Sequence, residues 1–368
     1  MRSRRCFFLK LFKKICITAT AAAVFCGMLS AAPSANAVVT VSDGVFQYTY
    51  TGNDWQLYKF IGDETDLTLP ESYDGVPIRS IAKECFLNSS VTSVTVPDSY
   101  TSVGSYAFYG CKNLMQISLP ETISLIGMGA FAKSGLVAAD LSETKITAVP
   151  SYLFSGCTSL ESVLLPSNAE SVGEAAFAES GIESVTIPAS VTLLGYAAFA
   201  NTESLETVTL NAGLKSIGES CFENSSLGNI VLPETLESIG ASAFRSDSSL
   251  KTLYIPDSVS FIGAYALYPM SVQGLIEVKC FENSYAADYC YENFVMNTKS
   301  YQKLFGDANL DGLVSINDVT SIQRHCAEMD TLQAPEIILA DADKNGIVGI
   351  EDATLIQRYL AEYDDAVL

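Results

Sequence analysis

The chain has 368 residues, with 21 Lys plus Arg against 42 Asp plus Glu, one histidine and ten cysteines. A chain of this length holds two or three structural units rather than one. So acidic a composition argues against a nucleic-acid partner, because phosphate contacts need a basic stripe.

The first 37 residues run against the rest. Their only charges are basic: Arg2, Arg4, Arg5, Lys10, Lys13 and Lys14. The apolar run ICITATAAAVFCGMLSAA follows, then an A-x-A site at Ala35-Asn36-Ala37. This is the layout of a secretory signal peptide over 1–37, with a mature chain from Val38. The run is short for a membrane span of about 20 residues, and bulky Phe25 before Cys26 does not suit lipoprotein processing. Removing the segment leaves 15 basic residues against 42 acidic ones. The expectation is a secreted, extracellular protein without a membrane span.

From residue 75 to about 270 the chain repeats itself. Phe86, Phe108, Phe131, Phe154, Phe177, Phe199, Phe222 and Phe244 recur every 22 or 23 residues, and Leu267 continues the series. Each stands in a phrase such as SVGEAAFAESGIESVTIP or SIGASAFRSDSSLKTLYIP. A period of this length marks a solenoid, in which no unit buries its own core and stacking does. Each unit carries a short alternating strand with apolar residues inward, such as Leu205-x-x-Val208-x-Leu210. A Pro ends the strand, an Ile-Gly turn reverses the chain, and the Phe plugs the interior. About eight or nine units are present. One departs from the pattern, with Ala148-Val149-Pro150 where Ile-Gly is expected, and predicts an irregular turn.

These columns resemble the BspA-like leucine-rich repeats of bacterial surface and secreted proteins. The resemblance implies an N-terminal cap over 38–74, repeats over 75–270, and a closing segment and linker over 271–300. It also implies ligand binding on the strand face, whose outward pairs include Ser93/Thr95, Ser184/Thr186, Thr207/Thr209, Asn229/Val231 and Thr252/Tyr254. That face is rich in Ser and Thr and has no aromatic platform or charged pocket. Its ligand, a protein or a plant cell-wall polysaccharide, is left open. So is a spacer or adhesin role with no specific ligand.

The repeat accounts for most cysteines. Cys85 and Cys221 precede plug Phe residues, and Cys111 and Cys157 share another column; all four read as small buried hydrophobes. Cys280 and Cys290 are the one pair to test for a disulfide. The lone His325 lies outside the repeats, which removes Ser-His-Asp, Cys-His and His-metal chemistry from the solenoid. Its acids (Glu121, Glu143, Glu183, Glu206, Glu234) sit on variable turn positions. The reading is non-catalytic, with an undetected carbohydrate-active enzyme the less favoured alternative.

At the C-terminus one acidic loop is written twice, as DANLDGLVSIND from 307 and DADKNGIVGIED from 341. Both fit the EF-hand calcium spacing except for a final Asp in place of Glu. A hard cation needs six or seven oxygens, and alternate residues of a tight loop turn theirs inward. The first set is Asp307, Asn309, Asp311, the carbonyl of Leu313, Ser315 and Asp318. The second is Asp341, Asp343, Asn345, the carbonyl of Ile347 and Asp352, with water at Gly349. DVTSIQRHCAE and DATLIQRYLAE follow as matching helices, with Val319, Ile322 and Cys326 on one stripe and Ala353, Ile356 and Leu360 on the other.

A loop and then a helix, twice and without entering helices, resembles a type I dockerin, here over 301–368. The resemblance implies a small all-α module with two Ca²⁺ sites that docks onto a cohesin domain of a scaffoldin, in either of two orientations, within a cellulosome-type complex for polysaccharide catabolism. The contact candidates are Asn317, Gln323 and Arg324 on one helix and Glu351, Gln357 and Arg358 on the other, flanked by His325 and Tyr359.

Overall fold

The computed structural model describes residues 39–228, 230–247, 249–268, 276–293, 295, 297–363 and 366–368. The expected signal peptide, outward Asn229 and the start of the closing segment lie outside the described residues. The chain forms two compact units, divided between Asn168 and Ala169. Both are parallel-strand solenoid, with about 10 turns in total.

The first unit starts with an antiparallel meander of Thr40–Ser42, Phe46–Tyr50 and Trp55–Phe60. The last of these pairs in parallel with Val76–Ile81, which switches the chain into solenoid mode. Trp55 and Leu57 are fully buried, so the meander covers the open end of the core. Each turn then adds two short strands. Asp66–Thr68, Ser93–Thr95 and Gln116–Ser118 pair in parallel on one side. Val76–Ile81, Ser102–Val103 and Leu125–Ile126 do so on another.

The Phe column forms a ladder. Phe86, Phe108, Phe131 and Phe154 are fully buried, with successive ring centroids 4.7, 5.7 and 5.7 Å apart and rings within 23° of parallel. Phe60 of the meander extends the ladder, 5.3 Å from Phe86.

The glycine column turns out to serve close approach. A Cβ on Gly127 would lie 2.3 Å from the Ser105 backbone nitrogen of the preceding turn. The left-handed conformations fall elsewhere, on Tyr106 and Tyr152 (φ 57° and 59°) and on Asn88 and Lys133 (φ 55° and 56°). Each such residue costs about 1–2 kcal/mol. Inter-turn hydrogen bonds offset this, as where the N–H groups of Tyr106, Phe108 and Gly110 donate to carbonyls one turn on at 2.8–3.0 Å.

The irregularity expected at Pro150 is confined to one ladder, where Ala148–Val149 does not pair with Leu125–Ile126 and the strand column breaks. Ala148–Val149 forms the usual two-residue strand, Val149 is buried, and Tyr152 and Gly156 keep the left-handed angles of the other turns. The reason is that Gly104 and Gly127 add one backbone bond at this position, which Pro150 forgoes, while its fixed φ still suits a turn.

The second unit repeats the scheme. Ser184–Ile187 pairs with Thr207–Leu210. Ser171–Val172, Leu193–Leu194, Ser216–Ile217, Ser238–Ile239 and Phe261–Ile262 pair in that order. Phe177, Phe199, Phe222 and Phe244 stack at 5.0, 5.4 and 5.5 Å. Thr252–Tyr254, Glu277–Phe281 and Thr298–Tyr301 close it as a three-stranded parallel sheet, with helix α1 (Tyr285–Glu292) between the last two strands. Helices α2 (Ile316–Cys326), α3 (Glu336–Ala340) and α4 (Ile350–Leu360) follow.

Three details here depart from expectation. Tyr254 is not on the outer face; it is 6 % exposed, covered by Phe281 and Leu339. Helix α3 does precede the second loop, held by Leu339 and Ile338 in that same apolar cluster. Cys326 and Leu360 are exposed, because the shared core of α2 and α4 is used up by Val319, Ile322, Ala353 and Ile356.

Candidate functional site

The twice-written loop folds the same way both times. In the first, Asp307 accepts from the N–H groups of Asp311 (3.1 Å) and Gly312 (2.9 Å). In the second, Asp341 accepts from Asn345 (3.0 Å) and Gly346 (2.9 Å). The closing acid also matches. Asp318 accepts from the N–H groups of Asn309 and Ser315 (3.1 and 2.8 Å), and Asp352 from those of Asp343 and Gly349 (3.2 and 2.8 Å). Leu310 and Lys344 share a left-handed φ of 58° and 61°, and Gly312 and Gly346 one of 83° and 88°. A side chain at Gly312 or Gly346 would meet open space, so these glycines answer to the turn and not to crowding.

The loops draw acidic groups out of water. Asp307 is 2 % exposed and Asp318 and Asp352 are fully buried. Burial pushes the Asp307 carboxyl above its usual range; the charges of Asp318 and Asp311 add to this, and the N–H donors of Gly312 and Asp311 oppose it. One oxygen each of Asp341, Asp343 and Asp352 lies within 4.8 Å of the others. Among the described residues no second acidic trio converges so closely; the first loop has Asn309 at the corresponding position. Clustered oxygen donors, with the closing Asp buried and Asp343 exposed, fit a hard cation such as Ca²⁺, which would neutralise charge that the protein otherwise concentrates.

Some candidates also serve the helix that follows, or offer only their backbone. The Ser315 hydroxyl accepts from the Asn317 N–H at 3.1 Å and lies 3.1 Å from Asp318 Oδ2, which makes it the N-cap of α2. Gly349 leaves α4 without a side-chain cap. The side chains of Leu313 and Ile347 are 67 % and 72 % exposed, so only their backbones take part in the loops.

The six contact candidates are all exposed on α2 and α4. They are not equivalent in detail. Arg324 pairs with Asp330, while the Arg358 guanidinium lies 5.6 Å from the Tyr363 ring centroid. His325 is half-buried and its Nδ1 accepts from the Leu332 N–H at 3.3 Å, whereas Tyr359 is exposed. Sequence reasoning missed an apolar component of this surface. Ile316 and Ile350, at matching positions, are 58 % and 51 % exposed. The signal was legible: both stand immediately before polar helix positions and off the buried stripe.

The solenoid face shows the expected wetted hydroxyls, with Thr95, Ser118, Ser184, Thr186, Thr207 and Thr209 exposed. Its interior holds a polar column that sequence reasoning missed. Three residues after successive plug Phe residues come Ser89, Cys111, Ser134 and Cys157 in the first unit. The Cys111 and Cys157 thiols donate to the Phe86 and Phe131 carbonyls at 3.0 Å, so these cysteines are buried hydrogen-bond donors and not mere apolar filler. In the second unit the column ends on Asp247. It accepts from the N–H groups of Leu227, Ser249 and Leu250 at 2.9–3.1 Å and lies 2.8 Å from the Ser225 hydroxyl. Cys280 and Cys290 are both buried free thiols, and burial raises Cys280 to about 11. No described helix is long and apolar enough to cross a membrane.

A family model described as the BspA type leucine rich repeat region matches residues 79–206 and 170–297, in six copies. Among solved structures, a leucine-rich repeat protein from Bacteroides ovatus ATCC 8483 is 19 % identical with a TM-score of 0.50, over 67 % of this chain and 70 % of that one. This likeness concerns the fold. A leucine rich cell surface protein from Faecalibacterium prausnitzii A2-165 is 21 % identical over 72 % of this chain and 95 % of that one, with a TM-score of 0.43. A leucine rich repeat protein from T. pallidum is 25 % identical over 56 % and 88 %, with a TM-score of 0.39. No curated protein matches the chain.

Proposed function

The chain belongs to the BspA-type leucine-rich repeat family, and from that premise we propose that it is a secreted, non-catalytic binding protein, docked through a calcium-dependent C-terminal module onto a cohesin domain of a scaffoldin. The observation that carries this reading is the equivalence of the two loops. The same backbone donors reach the same carboxylates in register, 34 residues apart. Two acidic turns without a shared task have no reason to agree at each of these positions.

Asp307, Asn309, Asp311, Ser315, Asp318 and the Leu313 carbonyl hold one Ca²⁺; Asp341, Asp343, Asn345, Asp352 and the Ile347 carbonyl hold the other. Bound Ca²⁺ would supply charge neutralisation and so hold each loop against the start of the helix that follows. Docking uses the exposed sides of α2 and α4: Asn317, Gln323 and Arg324, then Glu351, Gln357 and Arg358, with Ile316 and Ile350 as apolar anchors. The hydroxyl-lined strand face of the solenoid binds a protein or a plant cell-wall polysaccharide.

Calorimetry against a panel of cohesins tests this, with Ca²⁺ and then with excess chelator. The expected result is two bound Ca²⁺ and cohesin binding that chelation abolishes. Ca²⁺ binding with no cohesin bound would count against docking and favour a free-standing adhesin. Binding of residues 38–300 to polysaccharides separates a glycan ligand from a protein one.

A further inference from the structure

The docking reading uses one face of the C-terminal module; another face is already taken. Leu310, fourth residue of the first loop, sits in an apolar cluster with Tyr254 and Phe281 of the closing sheet and Leu339 of α3, with Tyr301 and Ile338 packed against it. The Leu339 carbonyl accepts from the N–H of Gly306 at 2.7 Å, so the residue before Asp307 is tied to one two places before Asp341. Two ion pairs cross the same junction. Lys279 meets Glu336 at 3.2 Å, with side chains only 16 % and 22 % exposed, and Lys303 meets Asp257 at 2.6 Å.

The duplicated loop gives an internal control. The position of Leu310 is filled in the second loop by Lys344, which has the same left-handed backbone but is exposed, its ammonium 4.4 Å from the Phe305 ring centroid. The loop is apolar at this position only in the copy that meets the solenoid. A solenoid needs a cap where its stacking ends, since the last unit otherwise leaves its apolar layer in water.

We propose that the C-terminal module has a second function as the C-terminal cap of the solenoid, so that Ca²⁺ in its loops holds the last solenoid strands closed. This rests on the calcium reading above. A cation that orders the first loop fixes Leu310 against Tyr254 and Phe281. By linkage, its binding energy then stabilises whatever those residues hold shut.

Hydrogen exchange of the full chain with and without Ca²⁺, alongside calorimetric Ca²⁺ binding, tests it. With Ca²⁺ at about 100 times its dissociation constant, exchange in segments 252–262 and 277–281 slows by up to about 100-fold. Leu310→Lys still binds Ca²⁺, because the loop accepts Lys at that position in its second copy, but loses most of the slowing. Lys344→Leu retains it. Ca²⁺ binding without a change in 252–281, or equal slowing in Leu310→Lys, overturns the cap and leaves the calcium sites standing. Absence of Ca²⁺ binding overturns both.

Discussion

Phe222 in the solenoid and Asp352 in the C-terminal module are both fully buried, and both belong to a repeated motif. There the likeness ends. The solenoid repeats an apolar plug whose neighbours satisfy it completely, ring on ring at 5.4–5.5 Å. The module repeats a buried carboxylate whose local partners are backbone N–H groups, which leave its charge uncancelled. One repeat is self-sufficient once stacked. The other gathers carboxylates whose charge, among the described residues, no cationic side chain within the loops cancels. Duplication therefore gives a stacked array in one case and, on the calcium reading proposed above, a cation-dependent pair of loops in the other.

The widest separation comes from the plug. Phe222→Ala removes a buried ring from the middle of a ladder and destabilises the second unit by about 3–5 kcal/mol. Urea titration followed by far-ultraviolet circular dichroism reads this, and Ca²⁺ affinity stays within twofold. A parallel fall in affinity would show that the coupling between loops and solenoid reaches beyond the last strands to the middle of the ladder. Chelation is the converse. At Ca²⁺ 100-fold above its dissociation constant, each site contributes about 2.7 kcal/mol, and excess chelator removes it. Helical signal from α2 and α4 is expected to fall while the strand signal of the first unit persists.

Asp247 sharpens the comparison, because it is a buried carboxylate inside the solenoid. Unlike Asp352 it is satisfied by a hydroxyl as well as three backbone N–H groups. Asp247→Ala orphans those donors and destabilises the second unit by about 1–3 kcal/mol, by the same amount with and without Ca²⁺ in thermal melts. The smallest effect concerns the two halves of the module. Ser315→Ala removes the cap of α2 and costs about 1 kcal/mol. Gly349→Ser supplies the missing cap to α4 and stabilises by a few tenths of a kcal/mol, once the Glu351 carboxylate, 2.7 Å from the new Cβ, swings aside. Melting of the Ca²⁺-loaded chain reads both, and a loss in the second variant would show that the halves are not built alike.

What the sequence determined by itself was whatever repeats locally. The 22- or 23-residue spacing of the Phe column specified a stacked core, because any residue recurring at the unit length faces its own copy one turn away. The acidic loops were legible for the same reason, since their spacing is set by the reach of consecutive side chains within one turn. Tertiary structure alone decided the features that depend on distant neighbours. Tyr254 reads as outward by alternation, yet Leu339, far along the chain, covers it. Pro150 interrupts one strand ladder, yet the turn around it keeps its backbone angles. Cys111 reads as a hydrophobe until the Phe86 carbonyl of the preceding turn is seen within reach of its thiol. Cys326 and Leu360 continue apolar stripes that have run past the end of their core. Periodicity records what a residue's own repeat requires of it; burial and hydrogen bonding at the ends and seams are set by segments that the period does not index.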